Sequence, residues 1–263
     1  MKFPLNARLA ALAATLLMAA AAHASPALNT PNVANLTGWS SAGDVAVKTT
    51  GTAGLNLAQT SLLLGTATTD TPDDDPAASG AYNVSLSNPV AGGSELETSL
   101  GLAPGALDDN LGGHFAMEGS SAWKDFTVAA GDTLKVDWQL FARPDTGNSG
   151  IPLPDTAWLV WTQGANTQLI KLADVLSAPM AASTNGWLAS GAQQYTVTAT
   201  QSGNARLGFA VADMDSFTTT TVLSVAQVTQ TSAVPEPGSV LLVLAGLAMM
   251  AYMNRRHNQQ RRG

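Results

Sequence analysis

Apolar and polar residues alternate with a period of two along much of the chain. The clearest case is residues 133–140, where Leu134, Val136, Trp138 and Leu140 would face one side and polar residues the other. This period is that of a half-buried β-strand. Shorter alternating stretches at 45–47, 195–198 and 207–212 predict further strands.

Two more segments predict strands without a clean alternation. Residues 158–161 (Trp-Leu-Val-Trp) are continuously apolar, which indicates a central strand, and residues 222–228 are rich in Val and Thr. Residues 169–176 are interpreted as a short helical turn. Because polar turn clusters separate the apolar stretches, we predict an all-β fold, a jelly-roll-like β-sandwich.

The first 24 residues have the features of a secretory signal peptide. Lys2 and Arg8 give a positively charged start, and the run from residue 9 to residue 22 that follows is nearly all Ala and Leu. The run is about 14 residues, short of the ~20 residues that span a bilayer. Ala22 and Ala24 form an A-x-A cleavage pattern, so we predict that signal peptidase removes residues 1–24 after Sec export.

Residues 234–263 contain three segments in a fixed order. Pro235, Glu236 and Pro237 come first, an apolar stretch at 239–253 follows, and a basic end closes the chain. The basic residues of that end are Arg255, Arg256, Arg261 and Arg262. An apolar helix of about 15 residues spans about 22 Å, and the arginines would hold its end in the cytoplasm. The same features would serve a simple C-terminal membrane anchor.

The Pro-Glu-Pro motif, the short apolar helix and the Arg-rich end resemble the PEP-CTERM sorting signal of Gram-negative bacteria. The resemblance implies that exosortase recognises residues 234–263 and removes the tail. The helix would then be a transient transmembrane segment in the inner membrane. The family is associated with exopolysaccharide production and with biofilm or floc surfaces.

The part between these two ends, residues 25–233, is predicted to be a single β-sandwich body. It contains six basic and 18 acidic residues, a net charge of −12, whereas the whole chain has −7. This balance argues against nucleic-acid binding. Short motifs such as Gly38-Trp39, Phe126-Thr127-Val128 and Leu207-Gly208-Phe209 resemble galactose-binding-like and carbohydrate-binding jelly rolls.

The residues that most enzymes use are scarce in the body. The chain has no cysteine, and His114 is the one histidine between the two targeting segments. We therefore interpret His114 as a loop or edge-strand residue and predict that the protein is not an enzyme. The alternative is a glycan-active hydrolase with paired carboxylates, for which Glu95 and Glu97 would share a face if they lay on a strand.

Two kinds of ligand site are candidates in the body. Trp39, Trp123 and Trp187 stand beside Gly, Ser or Lys and are candidates for exposed rings that stack on sugars. Asp213 and Asp215 follow a predicted strand and are candidate ligands for one calcium ion.

These observations together predict an exported, non-catalytic protein that exosortase sorts to the cell surface or the extracellular matrix. Its partners would be the export machinery and the exopolysaccharide, with weak glycan binding by the body. The alternative is a simple tail-anchored periplasmic protein, which would keep its C-terminal segment.

Overall fold

The computed structural model describes residues 28–29, 33, 35–49, 54–69, 82–108, 113–143, 154–215, 217, 220–233, 245–250 and 252–253. The chain divides into two compact units. One unit contains residues 28–232, and the other contains residues 1–27 together with residues 233–263. The signal-peptide residues Ala22 and Ala24 lie outside the described part of the chain.

The larger unit consists almost entirely of β-strands. In chain order the elements are β1 (Leu28–Asn29), β2 (Ser40–Ala42), β3 (Asp44–Lys48), β4 (Ser61–Gly65), β5 (Val90–Ala91), α1 (Glu95–Ser99), β6 (Ala116–Val128), β7 (Thr133–Ala142), β8 (Thr156–Gln163), β9 (Asn166–Asp174), β10 (Ala181–Ala182), a 3₁₀ turn (Thr184–Gly186), β11 (Leu188–Ala189), β12 (Gln193–Thr198), β13 (Gly203–Met214) and β14 (Thr221–Thr231).

These strands form two antiparallel sheets. The first sheet has the order β10-β11-β7-β14-β4-β3, with β1 beside β14 and β12 beside β7. The second has the order β2-β6-β13-β8-β9, with β5 beside β6. Consecutive strands of the described chain lie in different sheets at β1–β2, β2–β3, β4–β5, β6–β7, β7–β8, β9–β10, β12–β13 and β13–β14. The predicted all-β sandwich is confirmed.

The alternating residues of the predicted strands fill the space between the sheets. Leu134, Val136 and Leu140 of β7 are fully buried there against Leu207 and Phe209 of β13. Since each such side chain contributes about 1.5–3 kcal/mol when it leaves water, this pattern explains why the strand register is well defined.

The outer face of each sheet is also partly covered. Helix α1 and the segment after it pack Leu96, Leu100 and Leu107 onto β8 and β13. Trp158 belongs to this outer cluster, whereas Trp161 points into the inter-sheet core. The two tryptophans therefore face opposite sides of β8, as their odd spacing predicts, but the outer one is covered as well.

One local prediction is wrong, and the condition set for Glu95 and Glu97 is not met. Residues 169–174 continue strand β9, paired with β8, and the turn comes only at 175–177. Pairing with β8 and packing of Ile170 and Leu172 on the core outweigh the local helical tendency. Glu95 and Glu97 lie in helix α1, so their spacing does not place them on one face of a strand.

The sandwich has two distinct ends. We call the end where β13 stops and β14 starts the loop end, because residues 66–89, 92–115, 143–155 and 215–220 connect strands there. We call the opposite end, where β14 stops at Thr231, the tail end. At the tail end the connections 129–132, 164–165 and 199–202 are short turns. Ligand-binding residues of β-folds are usually carried by long loops on a rigid scaffold.

Candidate functional site

The sorting tail follows the last strand almost directly. Strand β14 ends at Thr231, and Pro235, Glu236 and Pro237 lie just beyond Ala233, outside the described residues. Residues 245–250 and 252–253 are helical, and the side chains described there are exposed. Arg255, Arg256, Arg261 and Arg262 lie outside the described part. Among the described residues, no helix has the length and hydropathy needed to cross a membrane.

The start of the sandwich lies next to its last strand. Leu28 pairs with Thr231 and Asn29 pairs with Gln230, in antiparallel register. In an antiparallel pair, the chain before one strand and the chain after the other leave in the same direction. The chain therefore enters β1 and leaves β14 at the same end of the sandwich.

The candidate sugar-stacking tryptophans are not exposed as predicted. The exposed fraction of Trp39 is 8%, and its ring stacks on Phe209 with 5.9 Å between centroids. Trp187 is only 1% exposed. Trp123 is half-buried, beside the cluster that covers the second sheet. The expectation of an open ring face is wrong for Trp39 and Trp187, because neighbouring polar residues in sequence do not prevent a large ring from packing on the core.

Trp187 instead anchors a cluster on the outer face of the first sheet. Tyr82 and Phe141 meet its ring edge-on, with centroids 5.5 and 6.5 Å away. The guanidinium carbon of Arg143 lies 4.3 Å from the Tyr82 ring centroid, and Nη1 donates to the Asn185 carbonyl at 2.9 Å. These contacts fasten the segment around the 3₁₀ turn to the sheet.

The structure does not assemble Asp213 and Asp215 as a calcium site. Asp213 is fully buried at the end of β13, whereas the Asp215 side chain is about 30% exposed and bonded to His114. Calcium takes six to eight oxygen ligands. In the part of the chain that the structure describes, no group of three His, Cys, Asp or Glu side chains is placed to hold a metal ion.

A pairing that the sequence did not reveal lies at the loop end. His114 Nδ1 and Asp215 Oδ2 form a short hydrogen bond although they are 101 residues apart. Asp215 Oδ1 accepts from the Phe115 backbone N–H at 2.7 Å, and the Asp215 N–H donates to the Phe115 carbonyl at 2.9 Å. His114 forms an isolated β-bridge two residues before β6 begins, a position within the predicted range of loop or edge strand.

The electrostatics of this pair are set by its hydrogen bonds. Partial burial opposes ionisation of Asp215, but the bonds from His114 and from the Phe115 N–H hold its pKa below the usual value. Asp215 also adopts a left-handed backbone conformation, with φ of 64°. A non-glycine residue in this region costs about 1–2 kcal/mol, which the surrounding contacts must offset.

The loop end also holds buried carboxyl groups. Asp44, Asp155 and Asp213 are all 0% exposed. Asp155 accepts from Thr221 Oγ1 at 2.8 Å and from the Met214 N–H at 3.1 Å. Asp44 accepts from Ser85 Oγ at 2.7 Å, and burial raises its pKa to about 6 against the lowering effect of its hydrogen bonds.

The tail matches a known sorting signal. Residues 233–257 match the PEP-CTERM protein-sorting motif, which confirms the resemblance of the tail. The match begins two residues after β14 ends. A comparison with curated proteins found no match.

Solved structures similar to the chain include carbohydrate-binding modules. TmCBM61 in complex with β-1,4-galactotriose has a TM-score of 0.34 and 7% identity, and the match covers 74% of this chain and 89% of that one. The Clostridium thermocellum xylanase 10B CBM22-1–GH10 modules with xylohexaose have a TM-score of 0.30 and 12% identity. That match covers 80% of this chain and 28% of the other.

A third structure gives a similar result. The N-terminal CBM22-1–CBM22-2 tandem domain from Paenibacillus barcinonensis has a TM-score of 0.34 and 13% identity, over 83% of this chain and 49% of that one. The chain thus spans about half or less of the second and third structures. At these TM-scores the function of the body has to be argued from its own residues.

Proposed function

We propose that this chain is an exported, non-catalytic protein of a Gram-negative bacterium, which exosortase sorts to the cell surface or the exopolysaccharide matrix. The observation that carries the proposal is the sorting motif at residues 233–257, which begins directly after the last strand of the sandwich. Removal of the tail at this junction would release the whole sandwich, because no strand of the described part lies beyond Thr231.

The two ends of the sandwich lie far apart along its last strand. Strand β14 has 11 residues, so about 35 Å separate its two ends. The sorting tail is joined at the tail end. The loop end is therefore the end of β14 farther from the residue at which the sorting motif begins.

We include weak glycan binding in the proposal. The body is acidic but carries exposed aromatic residues at the loop end, and Phe115 and Phe217 are 58% and 40% exposed. Exposed rings next to polar groups are the usual means by which proteins bind sugars. No calcium ion is part of the proposal, because the two candidate aspartates are not assembled into a site.

One observation favours the alternative of a glycan-active hydrolase. In Ser-His-Asp enzymes a carboxylate bonded to histidine Nδ1 orients the ring and leaves Nε2 for proton transfer. His114 and Asp215 have this arrangement. If the protein is a hydrolase, the unaltered chain should cleave acetylated or glycosidic test substrates, and the His114→Gln variant should lose that activity. If the protein is non-catalytic, neither the unaltered chain nor the variant should cleave them.

The sorting proposal is tested on the protein isolated from its own host. Intact-mass spectrometry of the exported protein should show a chain that begins at Ser25 and lacks Arg261 and Arg262. A mature protein that retains both arginines would contradict processing by exosortase and would favour the simple membrane anchor. The same spectrum tests the signal peptide, since an uncleaved leader adds residues 1–24.

A further inference from the structure

The His114–Asp215 pair is partly exposed, and an exposed phenylalanine is near each of its members in sequence. The side chains of His114 and Asp215 are 34% and 30% exposed. Phe115 lies between His114 and β6, and Phe217 lies two residues after Asp215. The two backbone hydrogen-bonding contacts of Phe115 with Asp215 bring these two segments side by side. We call these four residues the loop-end cluster.

We propose that the loop-end cluster is a binding site for a neutral glycan. This inference rests on the proposed function and names the site and the ligand class for it. Polysaccharides combine hydroxyl groups with flat C–H faces. A site for them needs aromatic rings that cover those faces and polar groups that fix their orientation.

The polar half of the cluster is oriented before any ligand binds. Asp215 Oδ2 holds His114 through Nδ1, and Asp215 Oδ1 is in turn fixed by the Phe115 N–H. His114 Nε2 has no hydrogen-bond partner within the described chain. Nδ1 of His114 is thus bonded to the protein, and Nε2 is available to solvent or to a ligand. A sugar hydroxyl can donate to Nε2 or accept from it, whichever the tautomer requires.

The left-handed conformation of Asp215 belongs to the same arrangement. Strained backbone of this kind persists where surrounding contacts hold it, and it is concentrated at functional sites. Asp215 pairs with His114 and Phe115 from this conformation.

The apolar half consists of two rings that the fold leaves in water. Phe115 is 58% exposed and Phe217 is 40% exposed, whereas Phe126, Phe141 and Phe209 are at most 7% exposed. Stacking between a ring and a sugar face would remove this surface from water. The other exposed aromatic side chain of the sandwich, Tyr195 at 37%, lies on β12 and pairs with Val136 of β7.

Charge selects the class of glycan. The body as a whole has a net charge of −12. A uronic acid or sulfated polymer would approach a surface of its own sign, and like-charge contacts lower both rate and affinity. A neutral polymer has no such barrier.

The test is calorimetric titration of the full chain in detergent with the exopolysaccharide of its own host, separated by anion exchange into neutral and acidic fractions. The neutral fraction should bind with saturable heat, and the acidic fraction should bind at least tenfold more weakly. Phe115→Ala and Phe217→Ala should each weaken binding of the neutral fraction about tenfold. Phe115→Trp should retain binding, because it keeps a ring. Tyr195→Ala is the matched control and should bind like the unaltered chain.

The outcomes separate the site from the function. If both alanine variants fold, by unchanged circular dichroism, and bind the neutral fraction like the unaltered chain, the loop-end cluster is not the site although glycan binding stands. If the acidic fraction binds as tightly as the neutral one, the ligand class is wrong. If neither fraction binds, glycan binding by the body is refuted, and the mass spectrum of the tail still decides the sorting proposal.

Discussion

Replacement of Asp44 by Asn should remove a pH dependence of stability that results from the burial of this carboxyl group. Asp44 is the first residue of β3 and is 0% exposed. Its Oδ1 accepts from the Ser85 N–H and from Ser85 Oγ, each at 2.7 Å, and Oδ2 accepts from the Val84 N–H at 2.8 Å. Burial outweighs these donors and raises its pKa from 3.8 to about 6.

The sign and size of the effect follow from proton linkage. Below pH 3.8 the carboxyl group is protonated in both the folded and the unfolded state, and its contribution to stability is fully present. As the pH rises to about 6, the unfolded chain loses the proton first, so the free energy of unfolding decreases. A difference between 3.8 and about 6, at about 1.4 kcal/mol per pH unit, amounts to about 3 kcal/mol at neutral pH.

The assay is urea denaturation followed by tryptophan fluorescence between pH 3.5 and pH 7.5. The unaltered protein should be destabilised relative to Asp44→Asn as the pH rises from about 4 to about 6, with no further relative change above that range. Asp125→Asn is the control, because Asp125 is exposed and its bond with Arg206 lowers its pKa. If the difference in unfolding free energy between Asp44→Asn and the unaltered protein is the same at every pH, Asp44 does not titrate as argued.

Three further changes test other parts of the structure. Glu97 is fully buried, and neither of its carboxyl oxygens has a hydrogen-bond partner within the described chain. Glu97→Met should therefore stabilise the sandwich by about 1–3 kcal/mol in urea denaturation. Destabilisation would mean that the buried carboxyl group contributes to the stability of the fold. Trp187→Ala should cost about 3–5 kcal/mol because the ring is 1% exposed, whereas half-buried Trp123→Ala should cost less, and equal losses would contradict the assigned burial. Arg255→Glu with Arg256→Glu should leave unprocessed precursor in the membrane fraction on an immunoblot; unchanged export would show that these arginines do not set the topology.

The strands with a clean pattern could be predicted because their periodicity reflects burial on one side. Residues 133–140 and 207–212 alternate, and they form β7 and β13 with their apolar side chains between the sheets. Strand β9 could not be predicted in the same way. Its described residues are mostly exposed or half-buried, so pairing with β8 rather than its own pattern decides its conformation.

The sequence also could not predict which single large residues are buried. Trp39, Trp123 and Trp187 have similar small or polar neighbours, yet their exposure differs because each packs against segments far along the chain. Trp187 is covered by Tyr82 and lies against Phe141. A local pattern contains no information on contacts between residues more than 40 positions apart.

The amino-acid sequence by itself determined the tail, the strand-rich body and the scarcity of catalytic residue types. These features depend on composition and on short, contiguous order, which a linear sequence expresses directly. Only the tertiary structure decided which end of the sandwich carries the long loops and that His114 meets Asp215 there. The physical reason is that β13 pairs with β6 in antiparallel register, so the end of β13 lies beside the start of β6, about 100 residues earlier in the chain. Side chains that bind a ligand together are assembled by that pairing and not by their distance in sequence.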